Sequence, residues 1–445
     1  MEKQNPRLLA ALAVQTFEES GDFLGEILDS FIQQASLSPL DRGLFTELVY
    51  GTVRMKLNLD HIIQQFSSRK LRDIEPKILQ VLRVGVYQLF YLDRIPARAA
   101  VHEAVNCARR LGRKGAEGFV NGILRGVLRG KARVQYPDPA SRPTAYLSLR
   151  YSFPEWMVAD WAARFGFTGA EELCQAFNAP PQTTLRVNTC NRSVEEVREH
   201  FQSRGAAVQA GRYAPDVITV FPGHLGVDDA LFHQGAYYIQ DEGSALVAHA
   251  VNPQPGEVIH DLCSAPGGKA THMAQLMDDQ GEIWAWDISG ERLAKVEENA
   301  RRQGFSIIKA VPGDASQPLD APPGDRILVD APCSGLGTLG HRPDIRWRRR
   351  PEEVQDLAQL QRKIMESAAR LVKPGGKLVY SVCTITMEEG EGIAHWFLKT
   401  HPEFSAAALP EWFPEPLGSE PHMRLFLPHI HRIDGFFVAA FSRKK

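Results

Sequence analysis

Apolar residues recur at helical spacing through the first 140 positions of the chain, and in the second half strand-like runs alternate with helical ones. After Pro76, residues Ile78, Leu79, Leu82, Val86, Leu89 and Phe90 line one helical face. The same spacing predicts helices over Leu8–Phe17, Leu24–Gln34, Leu44–Phe66 and Ala100–Leu111, with a short segment over Phe119–Leu128. A proline-rich connector, Tyr136–Arg142, then breaks the pattern and marks a boundary. Beyond it, helices are predicted over Pro154–Phe165, Ala170–Phe177 and Ser193–Arg204, around a strand at Thr183–Asn188. From about residue 226 the strand candidates are Val258–Leu262, Glu282–Trp286, Ser306–Val311, Arg326–Val329, Lys377–Ser381 and Gly435–Ala440, with helices Glu291–Arg302 and Val354–Leu371 among them. That alternation is the pattern of a doubly wound parallel sheet. The expected fold is multidomain: an all-α domain over 1–140, a small α+β domain over 141–225 that is expected to contact the substrate, and an α/β Rossmann-type domain over 226–445.

Composition narrows the class. No window approaches the roughly 18 apolar residues of a membrane span, and the run Leu8–Val14 is too short for a signal peptide. Six cysteines are scattered without a C-x-x-C pair, which argues against zinc and against a disulfide framework. Free thiols fit a reducing, cytoplasmic compartment, and nothing in the chain requires a metal, a membrane, a protein partner or an oligomer, so a monomer is expected. Net charge is −2, but residues 1–145 carry 21 Lys/Arg against 15 Asp/Glu, so the remainder is net acidic. Arg109, Arg110, Arg113 and Lys114 cluster where the fifth predicted helix ends. A basic first domain on a nearly neutral protein suggests a module that docks a polyanion, with a solvated helical surface as the plainer alternative.

The chemistry begins at Glu257–Lys269, EVIHDLCSAPGGK, which reads as a strand, a glycine-rich turn and a helix start. A nucleotide phosphate loop fails on spacing: Cys263 stands where the first glycine belongs, and Ala270 replaces the Ser/Thr that holds magnesium. Asp287, Asp314 and Asp330 follow at or just past the ends of consecutive predicted strands, where carboxylates can meet ribose hydroxyls or a base edge. Three such acids beside a glycine turn point to a nucleoside cofactor. Two cysteines also lie at strand ends, Cys333 behind Asp330-Ala331-Pro332 and Cys383 behind Ser381-Val382. The set suits methyl transfer to carbon 5 of cytosine. That carbon becomes nucleophilic once a thiolate adds at carbon 6, with a carboxyl group such as Asp330 hydrogen-bonded to the ring. Residue types alone leave open which thiol attacks. Arg346-Trp347-Arg348, basic with an aromatic interleaved, reads as a grip on single-stranded RNA or as a helix start with a packed tryptophan.

With these residues in view, DLCSAPGGK, DAPCSGLGTLGHRPDIRWRR, KPGGKLVYSVCT and the terminal DGFFVA resemble the RNA 5-methylcytosine methyltransferase family, above all its bacterial 16S ribosomal RNA branch of the Sun/Fmu type. ELVYGTVR, LRVGVYQLFYLDRIP and FVNGILR in the first domain are similar to the NusB-like helical RNA-binding domain of that branch, so the likeness spans essentially the whole chain. The resemblance implies S-adenosylmethionine as cofactor, contacted by Cys263, Ser264, Ala265, Pro266, Gly267, Gly268, Lys269, Asp287, Asp314 and Asp330. It implies Cys383 as the nucleophile and Cys333 as the group that assists release. It also implies 16S ribosomal RNA as the partner. A transfer RNA methyltransferase, or an RNA-binding assembly or transcription factor with an inert catalytic half, are the competing expectations. Two positions depart from the family pattern: Val382 replaces a hydroxyl residue before the nucleophile, and Glu389-Gly390-Glu391 replaces Glu-Asn-Glu.

Overall fold

The computed structural model describes residues 5–221, 229–415 and 420–445. The chain forms two compact units, residues 1–178 with 341–348, and residues 179–340 with 349–445.

The first unit is helical: Pro6–Glu19, Leu24–Gln34, Pro39–Arg54, Lys56–Phe66, Pro76–Tyr91, Ala97–Leu111, Ala116–Gly130, Pro143–Tyr151 and Glu155–Asn178. Asn5 and Ser38 accept hydrogen bonds from backbone N–H groups of the turns they precede, and each is followed by a proline whose missing N–H is no loss there. Helix Pro76–Tyr91 is the centre of the unit, with Ile78, Val81, Leu82, Val84, Val86, Tyr87 and Leu89 all buried. The charge on this buried helix is neutralised locally: Arg83 makes two 2.7 Å hydrogen bonds to the two oxygens of Asp60. The predicted helix Leu44–Phe66 is two helices, because the backbone leaves helical geometry at Met55. Gly51 lies so close to the Tyr87 ring that a Cβ there would stand 2.0 Å from it.

The Tyr136–Arg142 connector does not end this unit. Asn58 is fully buried and its amide donates to Leu149 O, Arg150 O and Tyr136 Oη at 2.9–3.2 Å, which ties the residues after the connector back to the earlier helices. The other expected boundary, at 225/226, lies outside the described residues.

The second unit holds two sheets. Strands β1 (Thr183–Val187), β2 (Ala207–Ala210), β3 (Val217–Phe221) and β4 (Tyr237–Ile239) form an antiparallel sheet in the order β2-β3-β1-β4. Only β1 was legible beforehand; β2 is a mostly exposed edge and β4 has three residues. The larger sheet comprises β5 (Val258–Leu262), β6 (Glu282–Asp287), β7 (Ile308–Pro312), β8 (Gly324–Asp330), β9 (Val372–Val382), β10 (Phe404–Ala406), β11 (Met423–Phe426) and β12 (Phe436–Arg443). Its order is β10-β12-β9-β8-β5-β6-β7, with β11 also paired to β12. Strands β5 to β9 pair in parallel, whereas β12 runs antiparallel to β9, β10 and β11. The strand order reverses between β5 and β8, and in such sheets ligands bind in the crevice outside the carboxyl ends of the strands at that point.

The two sheets are joined through a residue of β1. Arg186 is fully buried; its guanidinium donates to Gly268 O, Thr271 Oγ1 and Gln303 Oε1 at 2.8–3.2 Å. Strand β1 therefore grips the helix Gly268–Leu276, which begins at the glycine turn.

Candidate active site

At the carboxyl end of β5 the chain turns sharply. Cys263 and Gly267 have φ of 66° and 95°, and a Cβ on Gly267 would press to 3.1 Å from the Val296 Cα atom. Gly267 N–H donates back to Ser264 O at 2.8 Å, and helix Gly268–Leu276 starts there. The turn thus points a helix N-terminus and backbone amides into the crevice. Beneath it, Asp261 is fully buried and accepts a 2.7 Å bond from Ser264 Oγ. Burial, reinforced by Asp330 and against the pull of Ser264, pushes its carboxyl up to about 7.

Asp261 was not foreseen as a site residue; two consecutive polar residues, His260 and Asp261, inside an otherwise apolar central strand were the available signal. An unfolded aspartate titrates near 3.9, so between about pH 4 and 7 the folded state holds a proton that the unfolded state has released. Stability from this group is therefore present at low pH and lost as pH rises through 7. Asp261→Asn is expected to flatten the fall in thermal stability between pH 4.5 and 7.5 (about the window just given); an unchanged slope would contradict it.

Asp287 ends β6 and is buried. One oxygen accepts from Ser289 N–H at 3.0 Å; the other lies 3.4 Å from the Arg292 guanidinium and accepts no hydrogen bond. A buried carboxylate oxygen left open beside a glycine turn fits a ligand that brings hydroxyl donors, as the ribose of S-adenosylmethionine does. Asp314 differs. Its carboxylate is exposed and caps its own turn through Ser316 N–H and Oγ at 2.9 and 2.7 Å. The backbone just before it is tied to the end of β6, with Gly313 N–H donating to Asp287 O at 3.1 Å.

Lys269 and Asp330 meet across the strand-order reversal at 2.7 Å, and the second Asp330 oxygen accepts from Ser381 Oγ at 2.8 Å. Burial disfavours the Lys269 charge, but Asp330 and its hydrogen bond outweigh that and hold the ammonium above its ordinary value. Strands β8 and β9 are neighbours with Asp330 opposite Ser381, and the chain beyond each carries a cysteine. Cys333 Sγ and Cys383 Sγ lie 3.2 Å apart. Their surroundings differ. Lys269 interacts electrostatically with Cys383, whereas Cys333 feels the Glu389 carboxylate. The hydrogen bond to Cys383, then burial, pushes the Cys333 thiol well above its usual range. Cys263 is a third thiol in the turn, pushed up to about 12 by burial and the three neighbouring aspartates.

A buried polar network lies behind the thiol pair. Glu389, fully buried, accepts from Ser334 N–H at 2.8 Å, Gln361 Nε2 at 3.0 Å, Thr386 Oγ1 at 2.9 Å and the Ser334 hydroxyl. Ser334 and Thr384 hydroxyls are 2.8 Å apart. The loop after β8 and the loop after β9 are thereby tied to one carboxylate.

Arg346, Trp347 and Arg348 do not form an RNA grip. All three fold into the helical unit, where Arg346 is fully buried over the Phe153 ring and donates to Arg54 O, Ser152 O, Phe177 O and Asn178 Oδ1 at 2.8–3.3 Å. Trp347 Nε1 donates to Val53 O, and Arg348 donates to Phe17 O and Ser20 O, each at 2.7 Å. Arg346→Ala is expected to lower stability by about 3 kcal/mol or more, since each orphaned buried acceptor costs about 1–3 kcal/mol. Denaturant unfolding checks this, and a loss under about 1 kcal/mol would mean the acceptors find water. Arg109, Arg110, Arg113 and Lys114 by contrast are exposed around the end of helix Ala97–Leu111.

The fold and the crevice define a class: a Rossmann-type, S-adenosylmethionine-dependent methyltransferase with paired thiols at its strand ends. The family description 16S rRNA methyltransferase RsmB/F matches residues 248–442, the NusB family matches 4–129, and the RsmF/B-like ferredoxin-like domain matches 153–222. The probable ribosomal RNA small subunit methyltransferase B of Bacillus subtilis is 37% identical over 100% of both chains, and that of Synechocystis 38% identical over 97% of this chain and 98% of its own. The crystal structure of PH0851 superposes with a TM-score of 0.82 at 28% identity, covering 99% of each chain. The crystal structure of NSun6 from Pyrococcus horikoshii with SFG shares the fold, at a TM-score of 0.61 and 24% identity over 66% of this chain and 99% of that one. The chain belongs to the RsmB/F family of 16S rRNA methyltransferases. It is an enzyme, an RNA (cytosine-5) methyltransferase that uses S-adenosylmethionine.

Proposed function

We propose that the protein methylates carbon 5 of one cytosine in 16S ribosomal RNA through a covalent adduct between Cys383 and the base. The observation that carries the choice of nucleophile is the asymmetry around the thiol pair. A cation, Lys269, interacts electrostatically with Cys383, whereas the hydrogen bond to Cys383, burial and then the Glu389 carboxylate raise the Cys333 thiol.

Cys383 sulfur bonds to carbon 6 of the ring, and the double-bond electrons pass to an enamine whose carbon 5 is the new nucleophile. The charge this addition places on ring nitrogen 3 is met by a proton passed through the Lys269–Asp330 pair, and Asp330, oriented by Lys269 and Ser381, then accepts the hydrogen bond of that N–H. S-adenosylmethionine, held by the Cys263–Lys269 turn and Asp287, supplies an electrophilic methyl group when bound. A base then takes the carbon 5 proton, the sulfur–carbon 6 bond breaks, and Cys383 leaves as thiolate while Cys333 assists that release. Carbon 6 is out of reach inside a stack, so the target is an unpaired or extruded cytosine. The exposed Arg109, Arg110, Arg113 and Lys114 are offered as phosphate contacts. Six free thiols and a ribosomal RNA substrate suit a cytoplasmic enzyme. Among the described residues, no helix is long and apolar enough to cross a membrane.

Methyl transfer from radiolabelled S-adenosylmethionine to purified 16S RNA and to transfer RNA, followed by base analysis, tests the reading. Label in 5-methylcytosine of 16S RNA is expected. Label in transfer RNA alone would overturn the substrate, and no cofactor binding at all would mark the catalytic half as inert.

A further inference from the structure

Away from the crevice, Asp216, His249 and His272 converge. Asp216 immediately precedes β3; His249 lies on helix Glu242–Val251 and His272 on helix Gly268–Leu276. His249 Nε2 is hydrogen-bonded to one Asp216 oxygen at 3.0 Å, His272 Nε2 stands 2.7 Å from the other, and all three ligand atoms fall within 4.8 Å of one another.

The His272 contact is short but out of line for a hydrogen bond. Both of its ring nitrogens are buried without a hydrogen-bond partner, although the carboxylate oxygen is close. A donor and an acceptor at that distance normally align. Two ligand atoms of one ion do not align; they point at a shared centre and sit on the order of 3 Å apart. The surrounding shell is ordered too. Gln275 Nε2 donates to Asp216 Oδ2 and to Thr189 Oγ1, both at 3.1 Å, and the Asp216 carbonyl accepts from Val187 N–H at 2.7 Å.

We propose that Asp216, His249 and His272 bind one borderline first-row divalent cation, Zn²⁺ foremost, as a structural staple. Two imidazoles and one carboxylate are a recurrent donor set for such ions, with water completing the shell. Asp216 and His272 are buried, with His249 on the more open side, which leaves no room for a substrate and makes the role structural. The ion would tie the antiparallel sheet to the helix that begins at the cofactor turn. None of the six cysteines takes part, so the cysteine pattern that argued against zinc does not bear on this cluster.

The test uses the full chain, stripped with chelator and titrated with Co²⁺ as a visible probe. One equivalent is expected to give ligand-field bands that Zn²⁺ displaces, and metal analysis of untreated protein is expected to find a comparable amount of one metal. His249→Ala, changed at the more open position, is expected to fold and to lose the bands. Gln275→Ala, which removes the amide that orients Asp216, is expected to weaken binding by about 10- to 100-fold. Chelator should lower the melting temperature of the wild type and leave that of His249→Ala unmoved. Absence of bands in the wild type, or bands of equal strength in both His249→Ala and His272→Ala, would overturn the proposal and leave a His–Asp–His cluster alone.

Discussion

Cys333→Ala is expected to accumulate a denaturant-stable protein–RNA adduct, and Cys383→Ala to yield neither adduct nor methylated RNA. The two thiols lie 3.2 Å apart, so position alone does not separate their roles. Charge does. The Lys269 ammonium interacts electrostatically with Cys383, whereas Cys333 is raised by its hydrogen bond to Cys383, by burial and by Glu389. Without Cys383 no bond to carbon 6 forms, and activity should fall on the order of 10⁴-fold or more, as when a nucleophile is removed elsewhere. Without Cys333 addition and methylation proceed but release stalls, so turnover falls while adduct rises. Gel analysis after incubation with 16S RNA and S-adenosylmethionine reads both. An adduct in Cys383→Ala instead would exchange the roles, and adduct in neither variant would remove the covalent mechanism for this RNA.

Glu389→Gln is expected to cut kcat by about 100-fold, the scale of a misplacement near 1 Å, with S-adenosylmethionine affinity close to wild type. Glu389 touches no reacting atom. It accepts hydrogen bonds from Ser334 N–H, the Ser334 and Thr386 hydroxyls and Gln361, and so sets the spacing of the loops that carry Cys333 and Cys383. An amide in its place turns an N–H toward groups that donate, leaving buried donors unpaired at about 1–3 kcal/mol each. A stability loss of that order and a kcat loss without a cofactor-binding loss are the joint signature. Parallel loss of kcat and cofactor affinity would mean that the network supports the crevice rather than the thiols. The departure at Gly390 also has a local setting: a Cβ there would stand 3.0 Å from Thr386 O and 3.2 Å from the Phe437 ring. Val382, the other departure, is fully buried opposite Phe437 on β12.

Much of the catalytic half was legible because local pattern and tertiary role coincide there. Val258–Leu262 is a strand with those bounds, and the turn after it has the glycine that a φ of 95° demands. The thiol pair was legible for a similar reason: two parallel strands that are sequence-distant but adjacent in the sheet deliver whatever follows each of them to one rim. What the local pattern could not carry was burial of polar groups. Arg346-Trp347-Arg348 has the composition of an exposed grip, yet each side chain donates to acceptors on helices more than 160 positions earlier. Glu389 reads as one acid in an acidic run, Asp261 as one polar residue in a strand, and Asp216, His249 and His272 as three unrelated positions.

The residue sequence by itself therefore determined most of the elements, the glycine turn and most of the inventory of reacting groups, since periodicity and turn chemistry are short-range properties. The tertiary structure alone decided which ionisable groups are desolvated and paired with which. That follows from the physics: the free energy of a buried charge depends on partners that only folding brings within a few ångströms.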